Sequence, residues 1–195
     1  MKAQEAHETI DEVLEGGRNK RVAILIAVLA AMLAVAEMGG GQAKQDALNF
    51  NIEASNLWSF FQAKTVRQTV IRTFAEELKL TAEATADPAT RAAMEKQIDA
   101  WQKTVIRYET EPETHEGRKE LSHRAKEAEE GRNTFLEKYH AYEIASAAFQ
   151  IGIVLASASV ITEIVALAWL SGLLGAGGLA VMALGLFAPH VLHAI

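Results

Sequence analysis

Residues 144–195 read IASAAFQIGIVLASASVITEIVALAWLSGLLGAGGLAVMALGLFAPHVLHAI, 52 positions with one formally charged side chain, Glu163. A bilayer core takes about 20 apolar residues of helix to cross, so this run is long enough for two spans. Working back toward the N-terminus, a second uncharged stretch, Val22–Ala36, sits directly behind Arg18, Lys20 and Arg21. It supplies one more span. The chain therefore reads as all-α, with three transmembrane helices.

Between the apolar ends, region 42–143 carries 15 Lys or Arg and 18 Asp or Glu, with the signs interspersed. A nucleic-acid-binding protein shows a basic field or stripe, so no nucleic-acid partner is expected. With no cysteine, disulfides and thiolate metal sites are excluded, and compartment cannot be read from redox chemistry. Val22–Ala36 is expected to be a retained helix rather than a cleaved signal, because about 20 residues with five acids precede it, unlike the compact basic leader of a secretory signal.

The basic flank of the first span holds its start at the cytoplasmic headgroups by the positive-inside rule. This gives a cytoplasmic segment 1–21, span 22–41, an extracytoplasmic helical stalk 42–143, span 144–165, a Gly-rich turn 166–178, and a last span with the C-terminus over 179–195. The expected location is a bacterial inner membrane, multi-pass, with 42–143 in the periplasm. Gly39–Gly41 is read as ending or bending the first helix, since glycine is the residue most costly to order.

The stalk reads as a coiled-coil-like helical hairpin. Its first arm covers about 42–85. Asp87-Pro88 then starts a second helix, Asp87 accepting orphan backbone N–H groups and Pro88 preset at the first helical position. The stripe Met94, Ile98, Trp101, Val105 and Tyr108 steps by four, three, four and three, the spacing of a coiled-coil seam. Thr110-Glu111-Pro112-Glu113 has the form of a capping box that restarts a helix near Pro112. A second seam in a different phase runs Leu121, Ala125, Ala128, Arg132, Phe135, Tyr139 and Tyr142. Because the return path sums longer than the outward arm, a tilted or overlapping third helix is expected, making part of the stalk three-helical.

Several of these stretches carry a resemblance: Arg18-Asn19-Lys20-Arg21 leading into an Ala/Leu/Ile helix that ends in Ala36-Glu37, Asn51-Ile52-Glu53-Ala54-Ser55-Asn56-Leu57-Trp58, Gln62-Ala63-Lys64-Thr65-Val66-Arg67-Gln68-Thr69, and the Tyr142 approach to the second span. Together they resemble the bacterial membrane family catalogued as domain-of-unknown-function family 4337. The resemblance implies a small helical inner-membrane protein and no established reaction, ligand or catalytic residue.

The local candidate for a specific role is an assembly or partner surface of Asn56, Trp58, Phe61, Gln62, Lys64 and Arg67. Two readings stand side by side: Trp58 and Phe61 pack within the chain and the polar groups bond between helices, or the same set recruits another protein. Glu37 and Glu163 are read first as interfacial anchors, since an ionised carboxylate at midbilayer costs about 3 kcal/mol on insertion scales; the alternative is a membrane polar contact at an oligomer interface or an ion path. His190 and His193 form an incomplete zinc set, so no metal is expected. No phosphate-cradling loop or nucleophile motif is present, so no cofactor and no catalytic residue is expected. The leading function is a membrane-anchored, self-associating scaffold or accessory protein, with the bilayer, a second copy and a further membrane protein as partners. An oligomeric channel or transporter subunit is the alternative.

Overall fold

The computed structural model describes residues 2–187, with side chains from Gly16 onward apart from Arg18. Four helices account for them: α1 Lys2–Ala84, α2 Pro88–Glu109, α3 Arg118–Thr162 and α4 Val165–Phe187. Of these α1, α3 and α4 contain stretches long and apolar enough to cross a membrane. The chain divides into two compact units, one of Met1–Ala47 with Asn133–Ile195, the other of Leu48–Arg132.

The unbroken run of α1 follows from its spacing. Val22, Leu29, Ala36 and Ala43 are buried at seven-residue intervals, and four residues on, a second series continues at the same interval through Ala47, Ala54, the half-buried Phe61, Gln68, Ala75 and Ala82. A strict seven-residue repeat holds one edge of a helix toward its partners. Gly39–Gly41 does not end or bend the helix: α1 passes through it. Gly39 and Gly40 instead allow close approach. A Cβ on Gly39 would stand 2.7 Å from the Tyr142 ring, and one on Gly40 would stand 3.2 Å from the Tyr142 Cβ.

In the first unit, α1 packs with α3 and α4 through small residues, the way helices approach closely when apolar side chains gain nothing by leaving lipid. Leu29 and Phe149 are the large fully buried side chains. A Cβ on Gly175 would stand 2.6 Å from Leu29 Cδ2, and one on Gly178 would stand 2.9 Å from the Phe149 ring. The buried Ser171 hydroxyl donates to the Gly152 carbonyl at 2.7 Å, which satisfies that polar group inside the seam.

Residues 166–178 are accordingly helix, not turn. Two of their glycines, Gly175 and Gly178, lie at the packing face and meet bulky neighbours, and the sequence gives turn and packing roles the same letter. The reversal is made by Glu163 and Ile164, with Glu163 in the left-handed region at φ 60°. That conformation closes helix C-termini.

In the second unit, α2 and the start of α3 lie end to end along α1 rather than forming a three-helix section. Arg91 on α2 bonds the Ala82 carbonyl of α1, Gln68 on α1 bonds Val105 of α2, and Trp58 on α1 bonds Glu129 of α3. Asp87 caps α2 as its spacing predicts, accepting from the Thr90 N–H at 2.9 Å. The restart comes at Arg118, not Pro112. Thr110 closes α2, its N–H donating to Ile106 at 3.1 Å, and Pro112–His115 forms a turn. At about 1.5 Å per residue, α2 and the first turns of α3 together match the length of α1 that they cover, so no overlapping helix is needed.

Candidate functional site

In the second unit α1 presents two faces, and the expected surface residues divide between them. The inner face meets α2 and α3. Trp58 is half-buried, its indole N–H donating to Glu129 Oε1 at 2.9 Å, and its ring meets Phe61 edge-on at 5.4 Å between centroids. Around them Ala54, Leu57, Leu121, Ala125 and Ala128 form the apolar core of this unit.

Next to that core lies a polar clamp where α2 ends and α3 begins. Lys64 is 4% exposed; its ammonium sits 3.1 Å from Glu111 and 5.2 Å from the centre of the Phe60 ring. Arg118 donates to Thr65 Oγ1 at 2.9 Å, to Gln68 Oε1 at 2.7 Å and to Glu109 Oε2 at 2.8 Å, with Phe61 beneath its guanidinium. Gln68 completes the set by donating to the Val105 carbonyl at 3.0 Å and to Glu109 at 3.2 Å. The Gln68 amide, followed by the charge of Arg118, holds the Glu109 carboxyl below the usual range. A buried amine needs partners of this kind, because stripping an ammonium of water without them is prohibitive. Lys64 is thus committed inside the chain.

The remaining three expected surface residues, Asn56, Gln62 and Arg67, are exposed. They accompany a second apolar stripe on α1, lying roughly 180° around the helix from the buried edge at 3.6 residues per turn. Ile52 is 58% exposed, Val66 62%, Val70 46% and Phe74 55%. The hydroxyls interleaved with them are already occupied: Ser59 donates to the Ser55 carbonyl at 2.8 Å, and Thr73 to the Thr69 carbonyl at 3.1 Å. Their apolar sides are therefore what the stripe can offer.

Glu37 and Glu163 are both exposed and lie toward opposite ends of the apolar part of the first unit. Leu29 faces Gly152 and Gly39 faces Tyr142, ten positions forward on α1 against ten back on α3. That antiparallel register sets Glu37 level with the start of the apolar part of α3 and sets Glu163 level with the part of α1 just before Lys20–Arg21. The two carboxylates are about 28 Å apart along the axis at 1.5 Å per residue, too far for direct proton exchange. His190 and His193 lie outside the described residues.

Sequence reading did not single out Arg118, Glu109 or Glu111 as partners of the 51–67 segment. Only their separation in sequence hid them: each is an ordinary charged residue at a helix end until the chain folds back.

A family model described as a domain of unknown function, DUF4337, matches residues 18–188. The chain belongs to that family. The match takes in all three stretches long and apolar enough to cross a membrane, the clamp and the exposed stripe, so in this DUF4337 protein the helical hairpin is part of the family domain rather than an appendage. No curated protein and no solved structure matches the chain.

Proposed function

We propose that this DUF4337 protein is a membrane-anchored helical scaffold that self-associates through its hairpin, with region 42–143 on the periplasmic side of a bacterial inner membrane. One observation carries the reading. In a segment too charged to lie in lipid, Ile52, Val66, Val70, Phe74 and Leu80 of α1 stay exposed while the opposite edge of the same helix is packed. Burying apolar area is worth about 25 cal/mol per Å², and an apolar stripe at helical spacing gains that only against another surface. The role is one of assembly rather than catalysis.

The orientation is supported by Lys20 and Arg21, both exposed on α1 on the far side of its apolar stretch from Glu37. Lipid contact is supported by the outward-facing Ile24, Val28, Ile151, Val154 and Leu173. The interior of the first unit is filled by Leu29, Ala36 and Phe149, which lends no support to a pore within one chain. Mass measurement of the protein extracted in lipid-retaining particles tests the proposal: particles holding two or more copies are expected, and a uniform single-copy population would defeat it. Protease added to intact spheroplasts should cut within 42–143; protection there, with cutting from the cytoplasmic side, would reverse the orientation.

A further inference from the structure

We infer that the outer face of α1 is a parallel, in-register pairing seam for a second copy of this chain, running from Ile52 to Thr73 and set in register by Asn56. The inference rests on the self-association reading and specifies its surface. Ile52, Asn56, Ser59, Ala63, Val66, Val70 and Thr73 follow one another by four, three, four, three, four and three residues, and all seven are exposed. That is a two-position heptad seam of three repeats, on the side of α1 that neither α2 nor α3 covers.

Three features select a second α1 as the occupant. First, the seam is narrow and made of small residues, with Ala63 and Ser59 between Ile52 and Val66, so it fits another helix of like contour rather than a bulky loop. The Ser59 and Thr73 hydroxyls are turned to their own backbone, leaving no unmet hydroxyl at the contact. Second, Asn56 occupies the heptad position shared with Ala63 and Val70, where a lone asparagine fixes register by pairing with its own copy. Third, Gln62 and Arg67 flank the seam five residues apart, the separation at which flanking side chains meet across a parallel pair. Gln62 of one copy can then accept from Arg67 of the other.

Direction and extent follow from the same residues. Copies inserted with one topology share the direction of α1, which favours the parallel arrangement. Glu77 takes the next heptad position, and two ionised copies of it would face each other, so the seam ends at Thr73 with Phe74 packing at its flank. Confinement in one bilayer raises the effective concentration of the copies, so a seam of small residues need not be strong in solution to be occupied.

The chain has no cysteine, so single-cysteine crosslinking of the full-length protein in native membranes reads the contact without background. Asn56→Cys, Val66→Cys and Val70→Cys should each yield a covalent dimer, and Ala92→Cys on the exposed side of α2 should not. In a parallel pair every seam position meets its own copy, so Asn56 and Val70 crosslink alike; an antiparallel pair allows this only near its two-fold axis. Adding Val66→Asp and Val70→Asp should lower crosslinking at Asn56→Cys at least tenfold while the helical circular dichroism is unchanged. Crosslinking at one seam position only, or at Ala92 and not at the seam, would overturn the proposal. If lipid-retaining particles still contain several copies in that case, self-association survives and only the seam is wrong; single-copy particles would remove both.

Discussion

Lys64 and Arg67 sit three residues apart in one helix, yet one is committed inside the chain and the other is exposed. Replacing Lys64 with Met keeps the packing of its stem but removes the bond to Glu111; an unmade bond to a charged group costs about 1.5–3 kcal/mol. Because Glu111 retains partial access to water, the expected loss is at the lower end of that range, seen as faster amide exchange across Thr104–Glu109. Arg67→Met should change stability by less than about 0.5 kcal/mol, and equal effects at the two sites would contradict the assigned faces. Glu163 offers a second contrast, since its left-handed backbone costs a non-glycine residue about 1 kcal/mol. Glu163→Gly should therefore raise the thermal midpoint in lipid particles, and a marked fall would mean that the carboxylate makes a contact essential to the fold. At this scale the sequence was only half legible. Trp58 and Phe61 announce a buried surface by their size, but nothing near Lys64 foretells its burial, because Glu111 reaches it only after the chain has folded back along α1.

Helices were more legible than their joints. Asp87-Pro88 marks a helix start by local chemistry alone, whereas the seven-residue burial along α1 is hidden in a first stretch, 22–36, whose residues are all apolar. The glycines were not legible, because whether a glycine breaks a helix or admits a neighbour depends on the partner. Gly39 is answered by Tyr142, and Gly178 by Phe149. A paired substitution in α4 tests this assignment. A Cβ at Gly177 meets nothing within 4 Å, whereas one at Gly178 would stand 2.9 Å from the Phe149 ring and 3.3 Å from the Ala145 carbonyl. Gly177→Ala should be neutral or stabilise by up to about 1 kcal/mol, while Gly178→Ala should destabilise by about 1–3 kcal/mol through overpacking. Thermal unfolding in lipid particles measures both, and similar outcomes would mean that the two glycines do not differ in packing. The joint between α2 and α3 carries a pH dependence of definite sign. Glu109 is held below its ordinary value by Gln68 and Arg118, so its contribution is complete at neutral pH. It begins to fade as pH falls below the ordinary glutamate range and is lost once pH passes below the depressed folded value. Protection of α2 amides should therefore decline in acid and show less decline in Gln68→Ala; protection that rises in acid would contradict the assignment.

At the scale of the whole chain, the division into apolar ends and a charged middle was legible from composition, and the folded chain keeps three helices able to cross a membrane. The expected third layer in the stalk did not form, because α2 and α3 share the length of α1 between them instead of overlapping. That economy leaves one side of α1 uncovered, and the functional proposal grows from it: an anchored hairpin with an apolar outer face is incomplete alone. The most direct test is the mass of the full-length protein in particles cut from native membranes with their lipid. Particles holding two or more copies, reduced to single copies by Val66→Asp with Val70→Asp, are the predicted result; uniform single-copy particles from the unaltered protein would contradict it.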